Sequence, residues 1–464
     1  MFFQQFYLGC LAHASYMLGS KGEAVVVDPQ RDVEIYLEAA AKNGLAIRHI
    51  FETHLHADFV SGHKELAQRT GAKIYVGGAA GAKFPHVPLY DGFTLQVGDL
   101  CMRALETPGH TPESMCLVLT DCARGDEPWA VLTGDTLFVG DVGRPDLSPT
   151  HTPQQLADML YDSLHRKLMS LPDKTLVYPA HGAGSLCGRN MRAESSSTIG
   201  TERLTNWALQ IKTREDFITQ MTANLPARPE YFAQDAAINR EGAAALNDLP
   251  PLSAIAPTEL QMQIAQGLTA VDVRHQDAFA AGHVPNSISL PLGGQFASWA
   301  GALLGLSAHP VLIGETMEQI TEARMRMARV GIEDVAGYLE GGIGGWKAAG
   351  LPLESVAQVT VAELKGHLAK DGVEVLDVRR EGEWNNGHID GAHWYALDQF
   401  KKDLPELERD AKYAVHCKGG YRSMIACSFL MRAGHKNVIN VIGGFDAWEK
   451  AGLPVAQQAA VTSA

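Results

Sequence analysis

The stretch Thr53-His54-Leu55-His56-Ala57-Asp58-Phe59 brings two imidazoles and a carboxylate close together in the chain. Such side chains are common metal ligands in proteins. Phe59, which ends the stretch, cannot bind a metal. The stretch therefore predicts a metal site that borders on an apolar ring.

Three further segments carry residues of the same kind. They are Pro108-Gly109-His110-Thr111, Gly134-Asp135-Thr136 and Pro179-Ala180-His181-Gly182. Each follows a strand-like run and lies on a loop, where a scaffold usually mounts its chemistry. One such histidine alone would most simply be a surface histidine or a hydrogen-bonded core histidine. The four segments together indicate one metal centre.

The order of these segments resembles the metallo-β-lactamase fold, an αββα sandwich, over roughly residues 1–240, and a domain is expected at 1–250. Within that superfamily the sequence is most similar to the persulfide dioxygenases. The resemblance implies that His54, His110 and Asp135 bind the metal, with one Fe(II) per chain. The residues that would orient these ligands or line the pocket are His56, Asp58, Phe59 and His181. Phe59 stands where two-metal members of the superfamily have a histidine ligand of the second metal.

The implied ligand set suits oxygen chemistry. Two imidazoles and one carboxylate leave open positions on an octahedral iron for a persulfide sulfur and for dioxygen. Two-metal hydrolases instead hold a bridging hydroxide between ions ~3.5–4 Å apart. The same three ligands could also hold zinc or manganese, so the choice of iron rests on the resemblance.

Arg144, in Gly143-Arg144-Pro145-Asp146, follows the Asp135 segment closely. The resemblance places such an arginine near the substrate, where a guanidinium could bind the carboxylate of a glutathione-type thiol or a phosphate of coenzyme A. An ion pair within the loop, with Asp141 or Asp146, is an equal alternative. Both interpretations stay open at this point.

The second half of the chain contains an internal repeat. Its markers are Asp272-Val273-Arg274, Gly282-His283 and Gly341-Gly342-x-x-x-Trp346, which recur as Asp377-Val378-Arg379, Gly387-His388 and Gly443-Gly444-x-x-x-Trp448. Each copy alternates strand-like and helix-like runs, which predicts an α/β unit with a mostly parallel sheet. We expect domains at 251–355 and 356–464.

A reactive cysteine is predicted in the second copy. A strand-like run leads into His416-Cys417-Lys418-Gly419-Gly420-Tyr421-Arg422-Ser423, and a helical pattern follows. A cysteine between a strand and a helix start, beside cations, favours the thiolate. The active-site loop, Lys418, Gly419, Gly420, Tyr421, Arg422 and Ser423, resembles that of the rhodanese family, which implies that Cys417 carries a persulfide. Cysteine phosphatases have one more residue between their cysteine and arginine.

The remaining cysteines receive no catalytic role. The first copy has Val311-Leu312-Ile313-Gly314 at the position matching Cys417, which predicts a non-catalytic rhodanese-like domain. Cys427 lies on the apolar face of the predicted helix and is expected in the core. The cysteines without a supporting sequence context are Cys10, Cys101, Cys116, Cys122 and Cys187.

Composition limits the classes of partner. A chain of 464 residues with a net charge of −14 argues against nucleic acid and anionic membranes as partners. No stretch approaches the ~20 apolar residues of a membrane span, and the first residues lack the basic region of a signal peptide. Seven cysteines without a disulfide framework fit a reducing cytoplasm.

The combined resemblance is to persulfide dioxygenase–sulfurtransferase fusions of sulfide detoxification. It implies a homo-oligomeric enzyme that oxidises a glutathione or coenzyme A persulfide with O2 to sulfite. Cys417 would then form or use thiosulfate. Two alternatives are a glyoxalase II-type thioester hydrolase with a fused sulfurtransferase, and a non-catalytic sulfur carrier or sensor.

Overall fold

The computed structural model describes residues 1–225, 227–370 and 372–457, and the chain forms two units. The first comprises Met1–Leu249 with Ala328–Gly331, and the second comprises Pro250–Met327 and the chain from Ile332 onward. The finer division at 1–250, 251–355 and 356–464 stays a prediction.

The first unit contains strands that form two sheets. These are β1 (Phe2–Leu8), β2 (His13–Ser20), β3 (Glu23–Val27), β4 (Ala46–Phe51), β5 (Lys73–Gly77), β6 (Val87–Leu89), β7 (Thr94–Val97), β8 (Leu100–Glu106), β9 (Met115–Asp121), β10 (Pro128–Gly134), β11 (Leu176–Pro179) and β12 (Ser197–Thr198). The sheets are six-stranded, with orders β1-β2-β3-β4-β5-β6 and β12-β11-β10-β9-β8-β7. Both sheets are mixed. The pairs β1–β2 and β7–β8 are antiparallel, whereas β3–β4 and β10–β11 are parallel.

The two sheets pack face to face because alternate side chains of each are apolar. Tyr16, Val25 and Phe51 of the first sheet share one buried cluster with Leu117 and Leu132 of the second. Helices cover the outer faces. They are α1 (Glu34–Lys42), α2 (His63–Thr70), α3 (Pro153–Asp162), α4 (Ile199–Thr205) and α5 (Arg214–Thr222). A further helix, α6 (Tyr231–Glu241), contacts the loop of His56 and Phe59 through Asn239. These layers confirm the predicted αββα sandwich.

Separate clusters hold the helices on each side. Tyr36 of α1 and Leu66 of α2 pack on Val26 of the first sheet. Leu160 of α3 and Phe217 of α5 pack on the second sheet. The start of α3 is well defined, because the Thr152 hydroxyl accepts from the backbone of Gln155, whose side chain bonds back in a capping box.

The elements after residue 250 form two similar sheets. Their strands are β13 (Ala254–Ile255), β14 (Ala270–Asp272), β15 (Ile288–Ser289), β16 (Val311–Ile313), β17 (Gly337–Leu339), β18 (Ala357–Val359), β19 (Val373–Asp377), β20 (His393–Trp394), β21 (Lys412–His416) and β22 (Val438–Val441). The helices are α7 (Pro257–Ala265), α8 (Gln276–Ala281), α9 (Phe296–Leu303), α10 (Met317–Ala328), α11 (Gly342–Ala348), α12 (Val361–Lys370), α13 (Glu381–Asn385), α14 (Tyr421–Arg432) and α15 (Gly444–Lys450).

The two sheets repeat one topology. Their orders are β13-β17-β16-β14-β15 and β18-β22-β21-β19-β20, and neighbouring strands are parallel. Equivalent glycines locate the matching positions. A Cβ on Gly444 would lie 2.3 Å from the Cys417 carbonyl oxygen, and one on Gly342 would lie 2.6 Å from that of Gly314. Gly314 therefore occupies the place of Cys417 in the first copy.

One cysteine pair differs from expectation. Cys101 and Cys122 form a disulfide, so the expectation of seven cysteines without a disulfide framework was wrong for this pair. Cys101 lies near the start of β8 and Cys122 directly after β9, so the bond joins the two ends of the β8–β9 hairpin. Among the residues described, none of the helices combines the length and the apolar character that crossing a membrane requires.

Candidate metal centre and sulfur-transfer loop

The three predicted metal ligands meet at one end of the sandwich. His54 follows β4, His110 lies between β8 and β9, and Asp135 follows β10. Asp135 Oδ2 lies 3.8 Å from His54 Nε2 and 3.4 Å from His110 Nε2. All three side chains are buried, and their ligand atoms fall in one group that could hold a metal ion.

Neighbouring groups orient both imidazoles. The Thr53 hydroxyl donates to Asp28 Oδ2 at 2.8 Å, so its lone pairs face His54 Nδ1 at 3.0 Å. His110 Nδ1 faces the carbonyl oxygen of Arg144 at 3.0 Å. Each Nδ1 is thereby engaged, and each Nε2 is left for a metal. His54 Nε2 has no hydrogen-bond partner among the residues described.

The charges at the centre also fit a metal. Burial lowers the pKa of His54 and His110, so both imidazoles are neutral. Burial opposes the charge of Asp135, but the surrounding histidines, led by His181, hold the pKa of its carboxyl well below the usual range. A bound metal requires neutral imidazole and ionised carboxylate. The residues present therefore fit the group that was predicted.

Two motif glycines allow these loops to approach one another. Gly109 has a φ of +150°, and a Cβ there would lie 2.4 Å from the Leu160 Cβ of α3. Gly134 has a φ of +50°, and a Cβ there would lie 2.6 Å from the Thr53 hydroxyl. A larger residue at either position would displace His110 or Thr53.

A second buried group lies beside the first. His181 places Nδ1 2.8 Å from Asp135 Oδ1 and Nε2 2.8 Å from Asp58 Oδ2. Cys187 joins Asp58 and His181 in a group that could also hold a metal ion. Phe59 therefore does not by itself remove every donor from this position. Burial, then the charges of Asp58 and Asp135, raise the pKa of the Cys187 thiol.

Cys187 is the main residue of this region to which no role was assigned from the sequence. The signal available was its position in Gly182-Ala183-Gly184-Ser185-Leu186-Cys187, directly after the His181 motif. The loop returns to the centre because Arg144 N–H donates to the Cys187 carbonyl oxygen at 3.0 Å. No periodic pattern in the sequence predicts a backbone contact between two irregular loops.

His56 faces away from the three ligands. Its Nε2 lies 3.2 Å from Asp28 Oδ1 and 3.6 Å from Glu52 Oε2, and these three residues form a separate buried group. Burial disfavours its charge, but Asp28 and Glu52 outweigh that effect and raise the pKa of His56. Asp28 also accepts from Thr53, which contacts His54. A role of His56 in orienting the ligands through Asp28 stays a prediction.

Phe59 is fully buried against histidines. Its ring centroid lies 4.1 Å from that of His13 and 4.4 Å from that of His56. His13, which was not singled out from the sequence, has no hydrogen-bond partner at either ring nitrogen among the described residues. Burial, then the neighbouring His181 and His56, lower the pKa of His13, so this ring is neutral.

Arg144 forms the ion pair within its own loop that was the alternative to substrate binding. Its Nε and Nη2 donate to Asp146 at 2.6 and 2.8 Å, and the side chain is buried. The guanidinium fork is thus engaged by a carboxylate of its own loop. The backbone of Arg144, by contrast, reaches the centre through His110. Substrate binding by this arginine stays a prediction.

The Cys417 loop begins at the end of β21, a central strand of its sheet. Gly420 N–H donates to Cys417 Sγ at 3.1 Å, and the Ser423 hydroxyl lies 3.6 Å from the same sulfur. Gly420, with a φ of +97°, precedes α14. Backbone dipoles at the start of this helix stabilise a negative sulfur. Cys417 is 1% exposed.

The other loop residues differ in their surroundings. Lys418 and Gly419 are exposed, and the Tyr421 hydroxyl donates to the carbonyl oxygen of Pro291 at 2.9 Å. Arg422 donates hydrogen bonds from both terminal nitrogens to the Glu383 carboxylate. Cys427 is buried in α14, as expected, and burial raises the pKa of its thiol.

Comparisons with known proteins agree with this geometry. The metallo-beta-lactamase superfamily model matches residues 8–181, and the rhodanese-like domain model matches residues 256–349 and 360–451. The mitochondrial persulfide dioxygenase of Bos taurus is 31% identical over 221 residues, which cover 46% of this chain and 77% of that protein. The chain belongs to the persulfide dioxygenase family of the metallo-β-lactamase superfamily.

Other relatives lie in the same superfamily. A crystal structure of a metallo-beta-lactamase from Staphylococcus aureus is 34% identical, with a TM-score of 0.65, over 73% of this chain and 98% of that chain. A hydroxyacylglutathione hydrolase of Francisella tularensis subsp. novicida is 33% identical, over 37% of this chain and 63% of that protein. The predicted fold class and the prediction of a persulfide dioxygenase joined to rhodanese domains are confirmed.

Proposed function

We propose that this persulfide dioxygenase-family chain oxidises a low-molecular-weight thiol persulfide with O2 to sulfite. The site is His54, His110 and Asp135, and the cofactor is one Fe(II) per chain. The observation that carries the proposal is this buried group of two neutral imidazoles and one ionised carboxylate. When bound, ferrous iron supplies open positions at which a persulfide sulfur and dioxygen react side by side.

The chain's own residues shape that site. Thr53 and the Arg144 carbonyl hold the two imidazoles with Nε2 towards the centre. His181 holds Asp135 through both carboxylate oxygens at 2.8 and 3.0 Å. The buried ring of Phe59 packs against His13 and His56 and offers no ligand atom. These contacts favour one fixed ligand arrangement over a mobile one.

Cys417 is assigned the sulfur-transfer step. Its thiolate takes a sulfane sulfur from a thiol persulfide and passes it to sulfite, which gives thiosulfate; the reverse direction uses thiosulfate. Carrying both sites in one chain raises the effective concentration of one product at the other site. The carrier thiol is of the glutathione or coenzyme A type, and the setting is cytoplasmic sulfide detoxification by a homo-oligomer.

Metal analysis with oxygen uptake tests the proposal. Protein purified without oxygen should contain close to one iron per chain and should consume O2 when given glutathione persulfide. His110→Ala should lose both iron and uptake, whereas His309→Ala, an exposed histidine of the second unit, should retain both. Two zinc ions per chain without oxygen uptake would contradict the proposal.

A second candidate is hydrolysis of a glutathione thioester. It is favoured by the similarity to a hydroxyacylglutathione hydrolase and by the second donor group of Asp58, His181 and Cys187. The same purified protein distinguishes the two functions. Thioester hydrolysis with two bound metals, and no reaction of the persulfide with O2, would favour the hydrolase.

A further inference from the structure

One ion pair engages Arg422, the arginine of the Cys417 loop. Arg422 lies in the first turn of α14, and its Nη1 and Nη2 donate to Glu383 Oε2 and Oε1 at 2.6 and 2.7 Å. The side chains are 15% and 31% exposed, so water screens the pair only in part. The two parallel hydrogen bonds use the N–H edge of the guanidinium, which could otherwise bind the oxygens of an anion.

Glu383 is itself held in place. It lies on the short helix α13, and the backbone N–H of Arg380 donates to its Oε2 at 3.1 Å. Burial opposes its charge, but the Arg422 guanidinium outweighs that effect and holds the pKa of the Glu383 carboxyl below its usual value. The carboxylate is therefore ionised at neutral pH and cancels the charge of Arg422.

Two further cations near Cys417 have different surroundings. Arg379 donates to Asp377 Oδ2 at 2.6 Å, and its guanidinium stacks over the Phe445 ring at 3.8 Å. Lys418 is exposed and provides a hydrated point charge on a flexible stem. Neither Arg379 nor Lys418 therefore presents an open guanidinium fork to a sulfur donor at Cys417.

The possible sulfur donors differ in their need for such a fork. With thiosulfate, Cys417-S⁻ and S2O3²⁻ give Cys417-S-S⁻ and SO3²⁻; a bond forms from Sγ to the sulfane sulfur, and the electron pair of the broken S–S bond leaves on sulfite. With a thiol persulfide, Cys417-S⁻ and RSSH give Cys417-S-S⁻ and RSH, with the proton on the leaving thiol. Thiosulfate carries two charges and three sulfonate oxygens on the reacting sulfur pair itself, whereas the carboxylates of glutathione or the phosphates of coenzyme A lie away from the reacting sulfurs.

We propose that Glu383 determines the donor specificity of Cys417 by occupying the guanidinium fork of Arg422. Thiosulfate then binds weakly as a donor and leaves readily as a product, and a thiol persulfide is the preferred donor. This inference rests on the proposed sulfur transfer at Cys417. It assigns Glu383, which no sequence motif singled out, as a residue that sets specificity through Arg422.

The test replaces the carboxylate in the full chain by Glu383→Gln. Steady-state thiocyanate formation is measured with cyanide as the common acceptor and with thiosulfate or glutathione persulfide as donor. The ratio of kcat/KM for thiosulfate to that for persulfide should rise about tenfold, chiefly through a lower KM for thiosulfate, because a charge-assisted fork becomes available. Glu381→Gln, an exposed carboxylate on the same helix, should leave the ratio unchanged.

Further measurements separate charge from structure. In the Glu383→Gln/Arg422→Gln double variant the gain for thiosulfate should vanish, and its persistence would overturn the inference. An unchanged ratio in Glu383→Gln, or a higher KM for thiosulfate, would also overturn it. Should Glu383→Gln not fold, the wild-type enzyme still decides, because its KM for thiosulfate should rise only weakly with ionic strength; a steep rise rejects the proposal.

The wild-type controls distinguish failure of the Glu383 proposal from failure of the proposed sulfur transfer at Cys417. Wild-type protein that forms thiocyanate from neither donor would contradict sulfur transfer at Cys417 itself. Transfer from both donors with no effect of Glu383→Gln would contradict only the role of Glu383.

Discussion

A hydrogen-bond chain from Asp28 through Thr53 fixes the ring of His54. Asp28 accepts from both the backbone and the hydroxyl of Thr53, at 2.7 and 2.8 Å. The hydroxyl can then only accept from His54 Nδ1, which selects the tautomer with a free Nε2. Asp28 follows β3 and His54 follows β4, and these two strands are parallel neighbours, so their ends bring the hydrogen-bonded residues together.

Thr53→Val should weaken metal binding without unfolding the protein. Loss of the hydroxyl leaves Nδ1 of His54 without its partner, and loss of such an outer contact costs about tenfold or more in metal affinity. Iron retained during competition with a chelator measures the effect. Thr94→Val, at an exposed position of β7, is the matched control. Equal iron retention in the Thr53→Val and wild-type proteins would refute this role.

The hairpin β8–β9 carries a proposed metal ligand at one end and a covalent link at the other. His110 lies in the loop between the strands, and the disulfide Cys101–Cys122 joins their outer ends. The closed loop spans a sequence separation of 21 and includes His110. Such a link limits the unfolded conformations of the segment, which stabilises the folded hairpin.

In the second unit, the connection from α8 to β15 carries a buried histidine. The His283 ring stacks on Phe279 at 3.8 Å, and its Nδ1 faces the Phe279 carbonyl oxygen at 3.0 Å. Burial, the largest cause, lowers the pKa of His283 to about 4. The folded state therefore favours the neutral ring, whereas the unfolded chain protonates near pH 6.5.

This difference predicts a pH dependence of stability. The contribution of His283 is fully present above pH 6.5 and is lost as pH falls towards 4, about 3 kcal/mol in all. Urea unfolding of His283→Gln should show a correspondingly smaller loss between these pH values than the wild type. His309→Gln, an exposed histidine, should behave as the wild type. Equal losses in His283→Gln and the wild type would show that the ring titrates normally.

The whole chain joins two kinds of sulfur chemistry that use separate residues. The metal group belongs to the first unit and Cys417 to the second. Neither site borrows a side chain from the other in the proposed reactions. The two activities should therefore be separable by substitution, although they share one polypeptide.

Cys417→Ser tests this separation. Oxygen uptake on glutathione persulfide should remain largely intact, because the metal ligands are unchanged, and thiosulfate formation should stop with sulfite accumulating instead. Cys427→Ser, in the core of the same helix, controls for loss of a thiol. Loss of oxygen uptake in Cys417→Ser would show that the two sites do not act independently.

Order and spacing of motifs were sufficient for the fold class, and they grouped residues of metal-ligand type that the structure brings together. His54, His110 and Asp135 each follow a strand, and strand ends of one sandwich converge, so residues far apart in the chain could be grouped without coordinates. The repeat likewise predicted two equivalent sheets, and the absence of cysteine at Gly314 predicted which copy lacks a reactive sulfur.

Folding determined the partners of these residues, and no spacing in the chain could have done so. Cys187 reaches the His181 group by a loop without regular structure, Arg144 pairs with Asp146 although both alternatives fitted the sequence, and Glu383 occupies Arg422 from another helix. Each is a contact between side chains on separate elements or irregular loops. Packing sets such contacts to within ångströms, whereas periodicity and motif order report only the element on which a residue lies.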